Sequence, residues 1–161
     1  MELLRKVTKH LYTPITLVLG RICAGKSSYC RQFPDKKHIA VSNIVRKLSG
    51  VHSRKALQDT GSLARLISDE IIREIHAYDG DVLVDGIRQY SIIRRIVKEF
   101  GRGEVGILWL EVPERERRKR FESRERPNEL PFRQADLRDD DMGLSTIEDW
   151  AKQYGRVIHN Y

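Results

Sequence analysis

An α/β fold, a five-stranded parallel sheet between two helical layers, is predicted by two observations. Five short runs of aliphatic residues are nearly continuous in hydrophobicity, as strands covered on both faces must be, and stretches of helical period lie between them. Strands that alternate with helices imply right-handed βαβ crossovers. The 161 residues, 40% hydrophobic and 33% charged, have the length and composition of one globular domain spanning 1–161.

The predicted strands are residues 15–19, 38–41, 81–85, 105–111 and 156–159. The predicted helices are 27–32, 42–48, 62–78, 90–100 and 114–124. In the third of these, Leu63, Leu66, Ile67, Ile71 and Ile75 recur at helical spacing and mark a buried face. Residues 124–141 contain Pro127, Pro131 and many charges, which read as an excursion outside the packed layers. Ahead of the first strand, Leu3, Leu4, Val7 and Leu11 share one side of a helix over about residues 1–13, and packing on a sheet face is the expected use of that side. No internal repeat is visible.

Composition narrows the function. No apolar run is long enough to cross a membrane, and the first residues, MELLRKVTKHLYTP, carry charges where a secretion signal needs an unbroken apolar stretch. Two cysteines, Cys23 and Cys30, make no disulfide framework, so a reducing, cytoplasmic setting is expected. The five histidines show neither metal-ligand spacing nor a Ser/Asp partnership, which leaves zinc and acyl-transfer chemistry without support. A formal net charge of +7 favours anionic partners: phosphates, nucleotides or nucleic acid.

The strongest chemical signal is Gly20-Arg21-Ile22-Cys23-Ala24-Gly25-Lys26-Ser27, which fits the phosphate-binding loop G-x-x-x-x-G-K-[ST] and stands between a predicted strand and a predicted helix. Glycine at both ends lets main-chain N–H groups curl around a polyphosphate. Lys26 then neutralises β- and γ-phosphate oxygens, and Ser27 offers a hydroxyl to Mg²⁺. Ser28 completes the donor-nucleotide set. A second signal is Asp81-Val82-Leu83-Val84-Asp85-Gly86, an apolar strand ending in a carboxylate that either faces the Mg²⁺ and its waters or begins a turn with Gly86.

With these motifs in place, residues 14–161 resemble the nucleoside monophosphate kinase group of P-loop kinases. Beyond the loop, the segment His38 to Arg46 is similar to the start of their acceptor-binding helix, within an acceptor region of about 36–78. Val84-Asp85-Gly86-Ile87-Arg88 resembles their Asp-Gly-Phe-Pro-Arg segment, and Arg138-Asp139-Asp140-Asp141 their Arg-x-Asp-Asp region. The resemblance implies ATP and Mg²⁺ as cofactors, with Arg46 and Arg88 as acceptor-phosphate ligands and Ser42 and Arg138 in the substrate-binding set; Gln89, next to Arg88, either reads a base edge or is an uninvolved exposed glutamine. Ile87 replaces Phe-Pro, Ser42-Asn43 stands where Thr-Gly is common, and the lid region of about 115–141 lacks Cys or His for zinc. Asp85-Gly86-Ile87-Arg88, followed by a lid arginine helix and the run Arg138–Gly143, resembles the compact kinases near dephospho-coenzyme A kinase and phage deoxynucleotide kinases.

Phosphoryl transfer needs clustered guanidinium groups, because charge on two approaching phosphates must be cancelled. Residues 115–138 hold nine Lys/Arg against five acids. Arg120 and Arg124, four apart on one helical face, are the lid candidates; pairs such as Glu116 with Arg120 would equally suit a solvated helix. Gln58 either touches an acceptor base or belongs to a helix cap at Asp59-Thr60-Gly61. Trp109 lies within a strand and reads as core.

The expected activity is transfer of the γ-phosphate of ATP to a (deoxy)nucleoside monophosphate, with Lys26, Asp85, Arg88, Arg120 and Arg124 as catalytic residues. An alternative acceptor is a hydroxymethylated base such as 5-hydroxymethyluracil in DNA, where a basic lid tracks the polynucleotide. That acceptor calls for a carboxylate base, and Asp85 and Asp35 are the candidates. A nucleotide-dependent switch is the third reading, although no guanine-reading Asn-Lys-x-Asp motif is present.

Overall fold

A computed structural model describes residues 13–51, 60–124 and 131–161. The five strands are β1 (Ile15–Leu19), β2 (Lys37–Ala40), β3 (Val82–Asp85), β4 (Val105–Glu111) and β5 (Arg156–His159). They pair in parallel, as expected, and their order is β2-β3-β1-β4-β5. The helices are α1 (Lys26–Cys30), α2 (Val41–Val51), α3 (Thr60–His76), α4 (Tyr90–Phe100), α5 (Glu114–Ser123), α6 (Phe132–Asp141) and α7 (Leu144–Tyr154).

Side-chain alternation along β1 divides the core. Ile15, Leu17 and Leu19 face one layer, where Ile67 and Ile71 of α3, Ile93 and Ile96 of α4, and Ile147 of α7 meet them. Val18, with Leu83, Leu108 and Leu110, faces the other layer and packs on Ala24 and Cys30. Trp109, 1% exposed, belongs to the first cluster, and its indole N–H donates to Glu111 Oε2 at 2.8 Å. Burial of the ring with its one polar atom satisfied is what a core tryptophan requires. The helix expected over residues 1–13 lies outside the described residues, apart from Thr13.

Residues 124–141 do not remain an excursion. From Phe132 the chain forms α6, which buries Phe132, Ala135 and Asp139. One of the three buried positions is a carboxylate, so the helical stripe is invisible to a hydrophobicity reading. α7 was left unassigned by that reading; it buries Leu144, Ile147 and Ala151. Among the described residues no helix is long and apolar enough to cross a membrane.

Parallel pairing sets every carboxyl end on one edge of the sheet. Val18 of β1 is in register with Asp85 of β3, and Leu19 with Trp109 of β4. The chain turns from β2 to β3 on one side of β1 and reaches β4 on the other. The crevice beside β1 at that edge is therefore the switch point where such sheets bind ligands.

Candidate functional site

The loop after β1 carries its curvature at two residues. Cys23 has φ +60° and Gly25 has φ +84°. A Cβ on Gly25 would lie 2.7 Å from Asn160 Nδ2, so this left-handed position is reserved for glycine by both backbone and space. Ala24 N–H donates to Arg21 O at 3.1 Å and closes the turn. Among the described residues, no side chain caps the first turn of α1, and its N–H groups are the open donors of a helix start. Ser27 and Ser28 are exposed, and Ser28 Oγ accepts from Arg31 at 3.0 Å.

Lys26 folds back over this loop: its Nζ donates to Gly20 O and to Arg21 O, each at 3.0 Å. Burial pushes the ammonium down to about 8, Arg88 pushes it further, and Asp85 and Asp139 act against both. Lys26 therefore gathers one cation and two carboxylates from two distant segments, 85–88 and the helix around 139, into one field. A polyphosphate anion favours the charged amine, so binding takes up a proton above pH 8. The dissociation constant for ATP is expected to rise about tenfold per pH unit between about pH 8 and pH 10, measured by titration calorimetry. A constant that stays flat to about pH 9.5 contradicts this role for Lys26.

Asp85, 5% exposed, ends β3 beside the root of the loop. Its Oδ2 meets His38 Nε2. Sequence spacing shows no aspartate partner for a histidine, and the structure supplies one at His38 because β2 lies next to β3; His76 also pairs with Glu99 at 2.9 Å. Donor atoms of Cys30, His38 and Asp85 all lie within 4.8 Å of one another. Burial, then Asp85, pushes the Cys30 thiol up to about 12, so the sulfur keeps its proton.

Three arginines join the loop to the helices that follow it, and a fourth, Arg88, joins the end of β3 to α6. Arg21 donates from Nε to Glu148 Oε2 and from Nη1 to Asp140 Oδ1, both at 2.9 Å. Arg88, half-buried, stands with Nη1 at 3.1 Å from Asp139 Oδ1. Arg117 is 4% exposed and donates to Asp136 Oδ1 at 2.8 Å, Val112 O at 3.3 Å and Ile22 O at 3.4 Å. Arg120 reaches Cys23 O at 3.3 Å and Asn160 O at 2.7 Å, while Asn160 Nδ2 donates to Ala24 O at 2.9 Å. The surface ion pair of Arg120 with Glu116 also forms, at 3.4 Å.

Of the residues singled out from sequence, the structure gathers Gly20 to Ser27, Asp85, Arg88 and Arg120 around one crevice. Arg124 lies instead over the Phe121 ring, 4.6 Å from its centroid. Ser42 and Arg46 are exposed on α2, Gln89 is half-buried at the start of α4, and Arg138 is exposed on α6 next to Asp139. Gln58 lies outside the described residues. Asp35 is exposed. His38, Arg117, Asp136, Asp139 and Asn160 were not singled out as site residues. A buried arginine within Glu114–Ser123, or a buried acid within a run of three, gives no periodic signal.

No protein-family model matches this chain, and no curated protein matches it either. Among solved structures, shikimate kinase from Bacteroides thetaiotaomicron is similar with a TM-score of 0.60 and 12% sequence identity, over 91% of this chain and 86% of that chain. At that identity the likeness concerns architecture alone: the described residues share that protein's fold, a five-stranded parallel sheet with helices.

Proposed function

We propose that the chain is a phosphotransferase that moves the γ-phosphate of ATP to a nucleotide-like acceptor. The observation that carries this reading is the folded Lys26, poised over the Gly20–Ser27 loop with Asp85, Arg88 and Asp139 in its field. The fold likeness to a kinase supports it. In this reading Lys26 exchanges its two carbonyl contacts for phosphate oxygens, and the open N–H groups of the loop bind the β-phosphate. Arg120 holds charge that develops on the transferred group, and Arg88 holds the acceptor. Mg²⁺ supplies charge neutralisation between the β- and γ-phosphates. Its fit here rests on hard oxygen donors: the exposed Ser27 hydroxyl, and the Asp85 oxygen that His38 leaves unengaged. Little proton chemistry is needed if the acceptor is itself a phosphate, as in a mononucleotide.

A second acceptor class, an alcohol, is favoured by one observation: the arginine that would grip an acceptor phosphate already stands beside the buried carboxylate of Asp139; the hydroxyl of a modified base in DNA is one member of that class. The deciding experiment is a transfer screen with γ-labelled ATP over deoxynucleoside monophosphates, nucleosides, dephospho-coenzyme A and DNA containing 5-hydroxymethyluracil. Label on an acceptor is expected. Label released only as inorganic phosphate, whatever acceptor is added, overturns the reading. In the same assay Arg88→Ala is expected to raise the acceptor KM at least about tenfold with ATP affinity unchanged, on the scale of one lost charge-assisted contact. The reverse result would move Arg88 to the donor side.

A further inference from the structure

We propose that Asp139 takes a proton from a hydroxyl group of the acceptor, so that the substrate class is an alcohol and Asp139 is a catalytic residue; the proposal rests on the phosphotransferase reading above. Asp139 is 2% exposed, and among the described residues its Oδ1 has no hydrogen-bond donor. Arg88 Nη1 is 3.1 Å from that oxygen but is not aligned to share its hydrogen. A buried acceptor without a donor is costly, and proteins retain one chiefly where a ligand or water supplies the missing hydrogen.

The chemistry of the two acceptor classes separates them at this oxygen. A phosphate monoester in its dianionic form brings no hydrogen and sets negative charge against a buried carboxylate. A hydroxyl brings the hydrogen that Oδ1 lacks. Burial raises the affinity of Asp139 for a proton, while Arg88, Lys26 and Arg138 oppose that and Asp136 adds to it. The other two carboxylates considered for this task are worse placed, since Asp85 is engaged by His38 and Asp35 is exposed.

The step balances without a further reactant. The acceptor oxygen forms its bond to the γ-phosphorus, the bond from that phosphorus to the bridging oxygen breaks, and ADP leaves with the electron pair. The hydroxyl proton passes to Asp139 Oδ1 and then to solvent.

The test compares the wild-type protein with Asp139→Asn and Asp139→Glu, using γ-labelled ATP and two acceptor sets. One set contains only phosphate acceptors, deoxynucleoside monophosphates blocked at the 3′ hydroxyl. The other contains hydroxyl acceptors: nucleosides, 5-hydroxymethyl-2′-deoxyuridine and DNA carrying that base. Label is expected on a hydroxyl. Asp139→Asn is expected to lower kcat about 10²- to 10⁴-fold with the ATP dissociation constant unchanged, and to remove the acidic limb of the kcat/KM profile. Asp139→Glu restores part of that limb. Label on the phosphate set alone overturns this proposal and leaves the phosphotransferase reading intact, whereas label on neither set overturns both. Loss of Mg²⁺ affinity in Asp139→Asn, with the pH profile unmoved, also overturns it by making the missing hydrogen that of a metal-bound water. The acceptor comparison needs only wild-type protein, so it decides the substrate class even if a variant does not fold.

Discussion

Lys26→Ala is expected to lower phosphoryl transfer by about 10³-fold or more, on the scale of removing one preorganised charge from the transition state. It is not expected to lower thermal stability. The ammonium is held down to about 8 by burial and by Arg88, which means that the folded chain resists its charge. The unfolded chain binds a proton there up to about pH 10.5, so at pH 7 the charged side chain works against folding, and this cost disappears only as pH rises through the interval from 8 to 10.5. Alanine removes it, at the expense of two part-buried hydrogen bonds from Nζ to Gly20 O and Arg21 O, a smaller loss than the desolvation it relieves. The combined signature is a melting temperature equal to or above that of wild type without nucleotide, and no further rise on adding ATP and Mg²⁺. Circular dichroism melts with and without ATP, set beside the labelled transfer assay, check both halves. Wild-type turnover in this variant would end the kinase reading.

The parts of this molecule that sequence made visible are those governed by short-range rules. Leu17, Val18 and Leu19 are wholly buried because β1 is central and covered on both sides, and a strand so placed has no polar face to confuse its reading. The glycine loop is legible for a similar reason, since its curl depends on the residues within it. Asp139 was not legible. A charged residue between Arg138 and Asp140 reads as solvated, and its burial depends on Arg88 and Lys26 arriving from other segments. The His38–Asp85 pair is hidden in the same way, because it exists only through the pairing of β2 with β3. Helix α7 is a different case: Leu144, Ile147 and Ala151 have helical spacing, but the start of the helix is masked by the charged run before it. There Gly143, at φ +100°, supplies the turn.

Replacing Arg117 by methionine is expected to destabilise the fold by about 3 kcal/mol, the lower end of the range for breaking a buried ion pair from one side. Its guanidinium links three elements, donating past the end of β4 to Val112 O, to the loop at Ile22 O and to Asp136 on α6. Methionine fills much of the space beside the Phe132 ring, whose centroid is 5.3 Å from the guanidinium carbon, but offers no hydrogen to these oxygens. Asp136 keeps a weaker partner in Arg21 at 3.8 Å, which is why the lower end of the range applies. For a chain of this length the melting temperature should fall by roughly 6–12 °C. Adding Asp136→Asn to Arg117→Met should recover part of that loss, because the carboxylate left unpaired is then neutral. Arg118 supplies the control on the same helix: its ion pair with Glu114 is exposed on both sides, and Arg118→Met should change stability by no more than about 0.5 kcal/mol. Equal melting temperatures for the Arg117 and Arg118 variants would show that the buried network does not hold the loop to α6. A large fall in the first alone places that anchor at Arg117, one helical turn before the arginine that contacts Cys23 O.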